Sequence, residues 1–167
     1  TQTQLRQRSV SGLNGVLQVQ VPAGQCALLT IDGKVDRLLQ AGSHAFWKFG
    51  RSIAVELVDL RLQAVEVSGQ DIMTRDKVSL RLNLSATYRH TDVLRAFAQL
   101  QKPAEHLYRE LQFALRAAVG TRTLDELLEN KTVIDDVVTA HMAAKLQPFG
   151  MVAVSYTHLT LPTKRIV

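Results

Sequence analysis

From Val78 to Arg89 the chain alternates without interruption. Val78, Leu80, Leu82, Leu84, Ala86 and Tyr88 fall on one side, and Ser79, Arg81, Asn83, Ser85, Thr87 and Arg89 on the other. Successive side chains of a strand point to opposite faces, so this pattern predicts a strand with one buried and one wet face. Shorter runs precede it. Val16 to Val21 reads as a strand closed by Pro22-Ala-Gly24, and Gln25 to Ile31 as a second. Asp32-Gly33 is a two-residue hairpin signal leading into Lys34 to Leu39. Ala41-Gly42 marks a turn before His44 to Phe49. From Ile53 to Val67 the alternation changes phase, Ile53, Val55 and Leu57 giving way to Val58, Leu60 and Leu62, and a β-bulge near Leu57 is the economical explanation.

After Tyr88 the apolar period becomes helical. Asp92 is placed to cap a helix bearing Val93, Leu94, Phe97 and Leu100, which breaks before Pro103. Leu107, Leu111, Leu115 and Ala118 make one apolar stripe on the next helix, and Gly120 is suited to end it in the left-handed conformation. Thr123 with Glu126 forms a capping box for a short helix beginning at Leu124. Ile134, Val138, Met142 and Leu146 then recur at i, i+4. Strands first and helices later predict an α+β fold, an antiparallel-rich β-sheet in the N-terminal half with the helices of the C-terminal half packed on it.

With 167 residues, 46% of them hydrophobic, the chain has room for a real core in one domain. Residues 1–15 read as a linker or the remnant of an upstream segment, and residues 16–153 as the domain. Val154 to Thr163 back-translate, with permissible codons, into a transposon end joined to a read adaptor of common sequencing libraries. Residues 154–167 are therefore expected to be translated adaptor rather than native sequence. Thr1 in place of an initiator Met points the same way, to a piece of a gene cut at both ends. The formal charge is +5; without Lys164 and Arg165, 18 basic residues face 15 acidic ones, leaving +3. No run of Lys or Arg marks a nucleic-acid path, and no nucleic-acid partner is expected. The weak excess suits an anionic membrane surface. No stretch approaches the ~20 apolar residues needed to span a bilayer.

Little in the chain points to catalysis. His44, His90, His106, His141 and His158 include no pair at helical metal spacing, and Cys26 is the single cysteine, so neither a metal nor another cofactor is expected. Cys26 lies in an apolar strand and reads as a buried structural thiol. Glu105 with Glu110, or Asp135 with Asp136, would serve as acid/base pairs only in a pocket with shifted pKa values; solvated helix charges are the plainer reading. GxSxG, GxGxxG and P-loop motifs are absent. Two surface sets are more informative. Asp59, Arg61, Asp71, Thr74, Arg75, Asp76 and Lys77 read as turn chemistry and a wet strand face. Phe46, Trp47 and Phe49, with Lys48 and Arg51 beside them, read either as packing under the sheet or as a face toward a bilayer interface.

The block from Val58 to Tyr88 resembles the heart of the stomatin/prohibitin/flotillin (SPFH, or band 7) domain. The family reads Asp-x-Arg, then a polar turn, then an alternating strand, and here Asp59-Leu-Arg61, Thr74-Arg-Asp76 and Val78 to Tyr88 stand in those places. The family commonly has lysine where Arg75 stands, a departure that keeps the charge and changes its geometry. Leu107 to Gly120 followed by Thr121-Arg-Thr-Leu-Asp-Glu-Leu-Leu128 resembles the family's next two helices. His44-Ala-Phe-Trp47 and the spacing of Leu107, Tyr108 and Gln112 look most like the bacterial slipin branch. The resemblance implies a non-enzymatic, membrane-associated scaffold, anchored through a segment upstream of Thr1 with the cytoplasmic face favoured. It implies membrane lipids as partners and self-association into homo-oligomers through a C-terminal coiled coil that this chain lacks, organising membrane microdomains. The alternative it implies is a regulatory subunit restraining a membrane serine protease. In a ring, neighbouring subunits need complementary charges, which makes Asp59, Arg61, Asp71, Arg75, Asp76 and Lys77 candidate subunit-interface residues. Phe46, Trp47, Lys48, Phe49 and Arg51 are the candidate membrane-facing set.

Overall fold

The computed structural model describes residues 15–130 and 132–160. The chain divides into two compact units, residues 1–61 and 62–167. The division falls where β5 ends and β6 begins, and it accounts for the phase change between Ile53 and Val67. β5 (Ile53–Asp59) pairs with β2 in unbroken register, Leu57 opposite Ala27 and Val58 opposite Cys26. The expected bulge near Leu57 is therefore absent. The phase resets because Leu60 to Leu62 leave the strand before β6 (Gln63–Met73) starts.

In the first unit, β1 (Val16–Val21) pairs antiparallel with β4 (Gly42–Trp47), and β2 (Gln25–Ile31) lies between β3 (Lys34–Leu39) and β5. The inward positions of β1, Leu17, Val19 and Val21, pack with Ala27, Leu29 and Leu39 into one core. β2 is buried on both faces, since Cys26 and Leu28 are also enclosed, which is why its sequence is a continuous apolar run rather than an alternation. The β2–β3 turn uses Asp32 (φ 50°) and Gly33 (φ 80°), as the Asp-Gly signal predicts. The Asp32 carboxylate accepts the Ser52 amide at 2.8 Å and ties the turn down.

In the second unit, β7 (Ser79–His90) is the centre of an antiparallel sheet ordered β6-β7-β8, with β8 spanning Met151–Thr160. The alternation of β7 is realised: Leu80, Leu82, Leu84, Ala86 and Tyr88 are buried, and Arg81 and Arg89 are exposed. The buried face packs against α1 (Val93–Gln99), α2 (Pro103–Gly120), α3 (Leu124–Glu129) and α4 (Thr132–Leu146) in a single core. Ile134, Val138, Met142 and Leu146 of α4 are all fully buried, as their spacing requires. The fold is thus α+β, with the helices resting on a three-stranded sheet whose last strand follows them in sequence. β8 runs in register with β7 from Met151↔His90 through Thr160↔Arg81.

Two helix ends differ in mechanism. The capping box at α3 is formed: the Glu126 amide donates to Thr123 Oγ1, and the Glu126 carboxylate accepts the Thr123 amide at 2.9 Å. At the end of α2, Gly120 is not left-handed; it is the last helical residue, and Thr121 follows in a right-handed conformation. Side chains meet the free carbonyls instead. Thr121 Oγ1 donates to Ala117 O at 2.9 Å, and the Arg122 guanidinium to Ala118 O at 2.8 Å. With those acceptors satisfied, the left-handed cap expected at Gly120 is unnecessary.

Candidate membrane and subunit contact surfaces

β4 ends at Trp47, and the chain turns through Lys48, Phe49 and Gly50 before β5. The turn is fixed from both sides: the Lys48 amide donates to Gly15 O at 2.7 Å and the Arg51 amide to Lys48 O at 3.2 Å. This geometry separates the three aromatic residues. Phe46 points inward, half-buried against the core of the first unit, with the Arg37 guanidinium 6.0 Å from its ring centre. Trp47 and Phe49 point outward, 65% and 71% exposed, and stack on each other at 5.9 Å with ring planes 19° apart. Packing under the sheet thus describes Phe46 but not its two neighbours. A Cβ at Gly15 would stand 2.3 Å from the Phe49 ring, so only glycine leaves room for that ring where it lies. Arg51 is exposed beside the pair, and Lys48 is partly so.

The charged set falls into two groups in separate units. In the first, Arg61 donates to both oxygens of Asp59, Nε to Oδ1 at 3.1 Å and Nη2 to Oδ2 at 2.9 Å, while its own amide meets Oδ1 at 2.9 Å. These hydrogen bonds from Arg61 hold the Asp59 carboxyl below its ordinary range. The Arg61 stem lies over Gly24, where a Cβ would be 3.2 Å from its Cδ. In the second unit the β6–β7 turn docks on the start of α3. The Arg75 amide donates to Arg122 O at 2.8 Å, and its guanidinium pairs with Glu126 at 3.5 Å. The Asp76 carboxylate accepts from Thr74 Oγ1 and from the Leu124 amide at 3.2 Å, and the Thr74 hydroxyl is the main reason its pKa is lowered. Asp71 stands opposite Arg81 across the strand pair, and Lys77 is exposed with φ 62°. Asp59, Arg61, Arg75 and Asp76 therefore all serve contacts within their own chain. Sequence reasoning missed the Asp76–Leu124 link, although a Thr-x-Asp turn and a capping box, each with unmet hydrogen-bonding groups, were both visible.

The remaining titratable groups do not converge. Among the described residues no three His, Cys, Asp or Glu side chains lie close enough to hold a metal ion. Cys26 is buried, and desolvation pushes its thiol up, away from the reactive thiolate. His106 packs edge-on against Phe149 at 5.2 Å, and His141 lies 3.4 Å from Glu110. Glu105 pairs with Lys102 at 3.2 Å, and Asp135 accepts the Thr157 amide at 2.6 Å. The side chain of His158 lies outside the described residues.

His90 is the unusual one. It lies between Tyr88 and Phe97, each about 6.0 Å away, and its Nδ1 is buried with no hydrogen-bond partner among the described residues. Burial lowers its pKa below the ordinary 6.5. The unfolded chain then binds the proton more readily, so stability is full above pH 6.5 and declines as pH falls from there toward the folded value. Urea midpoints measured between neutral pH and pH 5 are expected to fall in the natural chain and to flatten in His90→Gln. Equal slopes in the two proteins would contradict this. Asp76 acts in a separate window: its stabilisation is lost only as pH falls below the ordinary 3.8 toward its lowered folded value.

The first unit presents an exposed aromatic pair, and among the described residues no three His, Cys, Asp or Glu side chains converge. The chain matches the SPFH domain / Band 7 family over residues 19–165, and it belongs to that family. It is similar to a band 7 family protein of Acanthamoeba polyphaga mimivirus, 25% identical over 78% of this chain and 43% of the viral protein. It is also similar to a stomatin homologue of Pyrococcus horikoshii, 29% identical over 64% of this chain and 41% of that protein. Stomatin-3 of Caenorhabditis elegans is 31% identical over 44% of this chain and 28% of its own length. The chain thus spans less than half the length of these relatives. Band 7 and stomatin-family proteins are in general membrane-associated scaffolds. Among the described residues no helix is long and apolar enough to cross a membrane.

Proposed function

We propose that this chain is a non-catalytic domain that rests on a membrane surface and homo-oligomerises there, organising membrane microdomains as a scaffold. The observation that carries the reading is the outward Trp47–Phe49 stack beside Lys48 and Arg51. Two large aromatic rings in water are costly, and a bilayer interface accepts their apolar bodies while nearby cations meet anionic headgroups. Burying two such side chains partway contributes about 4 kcal/mol, which corresponds to a millimolar affinity. One copy therefore binds weakly. Linked copies bind tightly because the weak contacts sum, and this is the physical reason for membrane contact and self-association to occur together. Co-sedimentation with vesicles containing anionic lipid tests the reading: binding that weakens with salt is expected, and no binding at any lipid concentration overturns it.

A further inference from the structure

β6 is an edge strand: among the described residues it pairs with β7 and with no other strand. Its first five residues, Gln63 to Val67, run in even register with Tyr88 to Leu84. Ser68 and Gly69 then bulge, Gly69 at φ 64° with its amide donating to the Asn83 side chain at 2.8 Å. Before the bulge, Gln63-Ala-Val-Glu-Val67 carries neither lysine nor proline, the residues that ordinarily blunt an edge. This stretch therefore offers unpaired amides and carbonyls to another strand. α2 runs beside it. Between them lies a groove of about 540 Å³, lined by Val65 on the strand and by Glu105, Tyr108, Arg109 and Gln112 on the helix. Further along, a Cβ at Gly120 would stand 3.9 Å from Met73 O, so helix and strand run in the same sense. The groove thus leads on toward Arg116, two turns and about 10 Å beyond Arg109 on the same flank of α2. Glu105 is paired with Lys102 at 3.2 Å, whereas Arg109 and Arg116 are exposed and take no ion pair among the described residues.

An open strand edge beside two unpaired guanidinium groups calls for a backbone and for carboxylates together, which is what an acidic peptide in extended conformation supplies. We propose that the groove binds an extended acidic segment of a partner protein, which adds a strand to β6 and sets its carboxylates on Arg109 and Arg116. Side chains of the added strand that share the face of Val65 point into the groove. Those two places apart stand about 7 Å from each other, so carboxylates two or four places apart bracket the spacing of the arginines. An anionic lipid meets the charges but has no backbone to offer β6. The chain's own ends do not suit the site. Residues 1–14 contribute Arg6 and Arg8, residues 161–167 contribute Lys164 and Arg165, and neither stretch contains Asp or Glu. The inference adds a protein partner to the membrane reading and stands independently of it.

Fluorescence anisotropy with short synthetic peptides tests the site on the full chain. A peptide alternating glutamate and threonine is expected to bind saturably, about tenfold more tightly than its glutamine counterpart, and more weakly as salt is raised. Methylating the backbone amides of that peptide keeps its charge and removes its strand pairing, and is expected to abolish binding. Arg109→Gln with Arg116→Gln is expected to weaken binding of the acidic peptide about tenfold, with circular dichroism unchanged. Absence of saturable binding, equal binding of the methylated peptide, or unaltered binding by the arginine variant overturns the proposal. Two further results reassign the face and overturn it as well. Loss of vesicle co-sedimentation in the arginine variant gives the face to lipid, and release of a self-associated chain into monomers by the same substitutions gives it to a second copy. Peptide binding by a chain that does not bind vesicles supports this site and sinks the membrane reading instead.

Discussion

Gly150→Ala is expected to lower the stability of the second unit by about 2–6 kcal/mol, the sum of a left-handed backbone strained by a side chain and of overpacking. Gly150 follows the short 3₁₀ turn Gln147–Phe149 with φ 61°, and its carbonyl accepts the amides of Thr91 and Asp92 at 2.8 and 3.0 Å. A Cβ there would stand 2.5 Å from Asp92 Cβ and 2.6 Å from the Asp92 carbonyl oxygen. A carbonyl held by the backbone of the α1 cap has little freedom to move aside. Gly33→Ala supplies the control. Its φ is 80°, yet nothing lies within 4 Å of the added Cβ, so only the left-handed backbone strain of about 1–2 kcal/mol applies. Urea unfolding of both variants separates the two contributions. Equal losses would mean that Asp92 can yield, and that the junction of β7, α1 and β8 is looser than its hydrogen bonds suggest.

The second large effect is on membranes. Trp47→Ser with Phe49→Ser is expected to weaken binding to anionic vesicles at least about 100-fold, since each aromatic contributes about 1.5 kcal/mol or more when taken out of water. Stability should barely change, because both rings are already largely exposed in the free protein. Phe46→Ser should behave in the opposite way. It opens the core of the first unit, so its main effect is on unfolding. If the exposed pair can be removed without loss of vesicle binding, the contact lies elsewhere on the chain.

Much of the second unit is legible from the pattern of residues alone. The twelve-residue β7 alternates because only one of its faces meets the helices, and α4 places an apolar residue at every fourth position for the same reason. The capping box is legible because its hydrogen bonds close within four residues. The features that escaped did so for different reasons. The division at Arg61/Leu62 carries no Gly, Pro or polar run, so the apolar residues on either side read as one bulged strand. Gly120 read as a left-handed cap because local sequence does not show that Thr121 and Arg122 reach back to the last carbonyls. The aromatic cluster was ambiguous for another reason. Phe46, Trp47 and Phe49 span the end of a strand and the start of a turn, and alternation no longer decides sides once the strand stops. Of the charged set, Asp76 and Arg75 reach the start of α3 about fifty residues on, a link that no local pattern displays.

The most direct test of the membrane reading uses a probe the chain already carries. Trp47 is its single tryptophan, so intrinsic emission reports on that side chain alone. On titration with anionic vesicles, the emission is expected to shift to shorter wavelength and to become shielded from an aqueous quencher. The shift should saturate with lipid and diminish as salt is raised. An emission that stays water-like while the protein co-sediments with the vesicles would contradict it, because the chain would then be touching the membrane through some other surface.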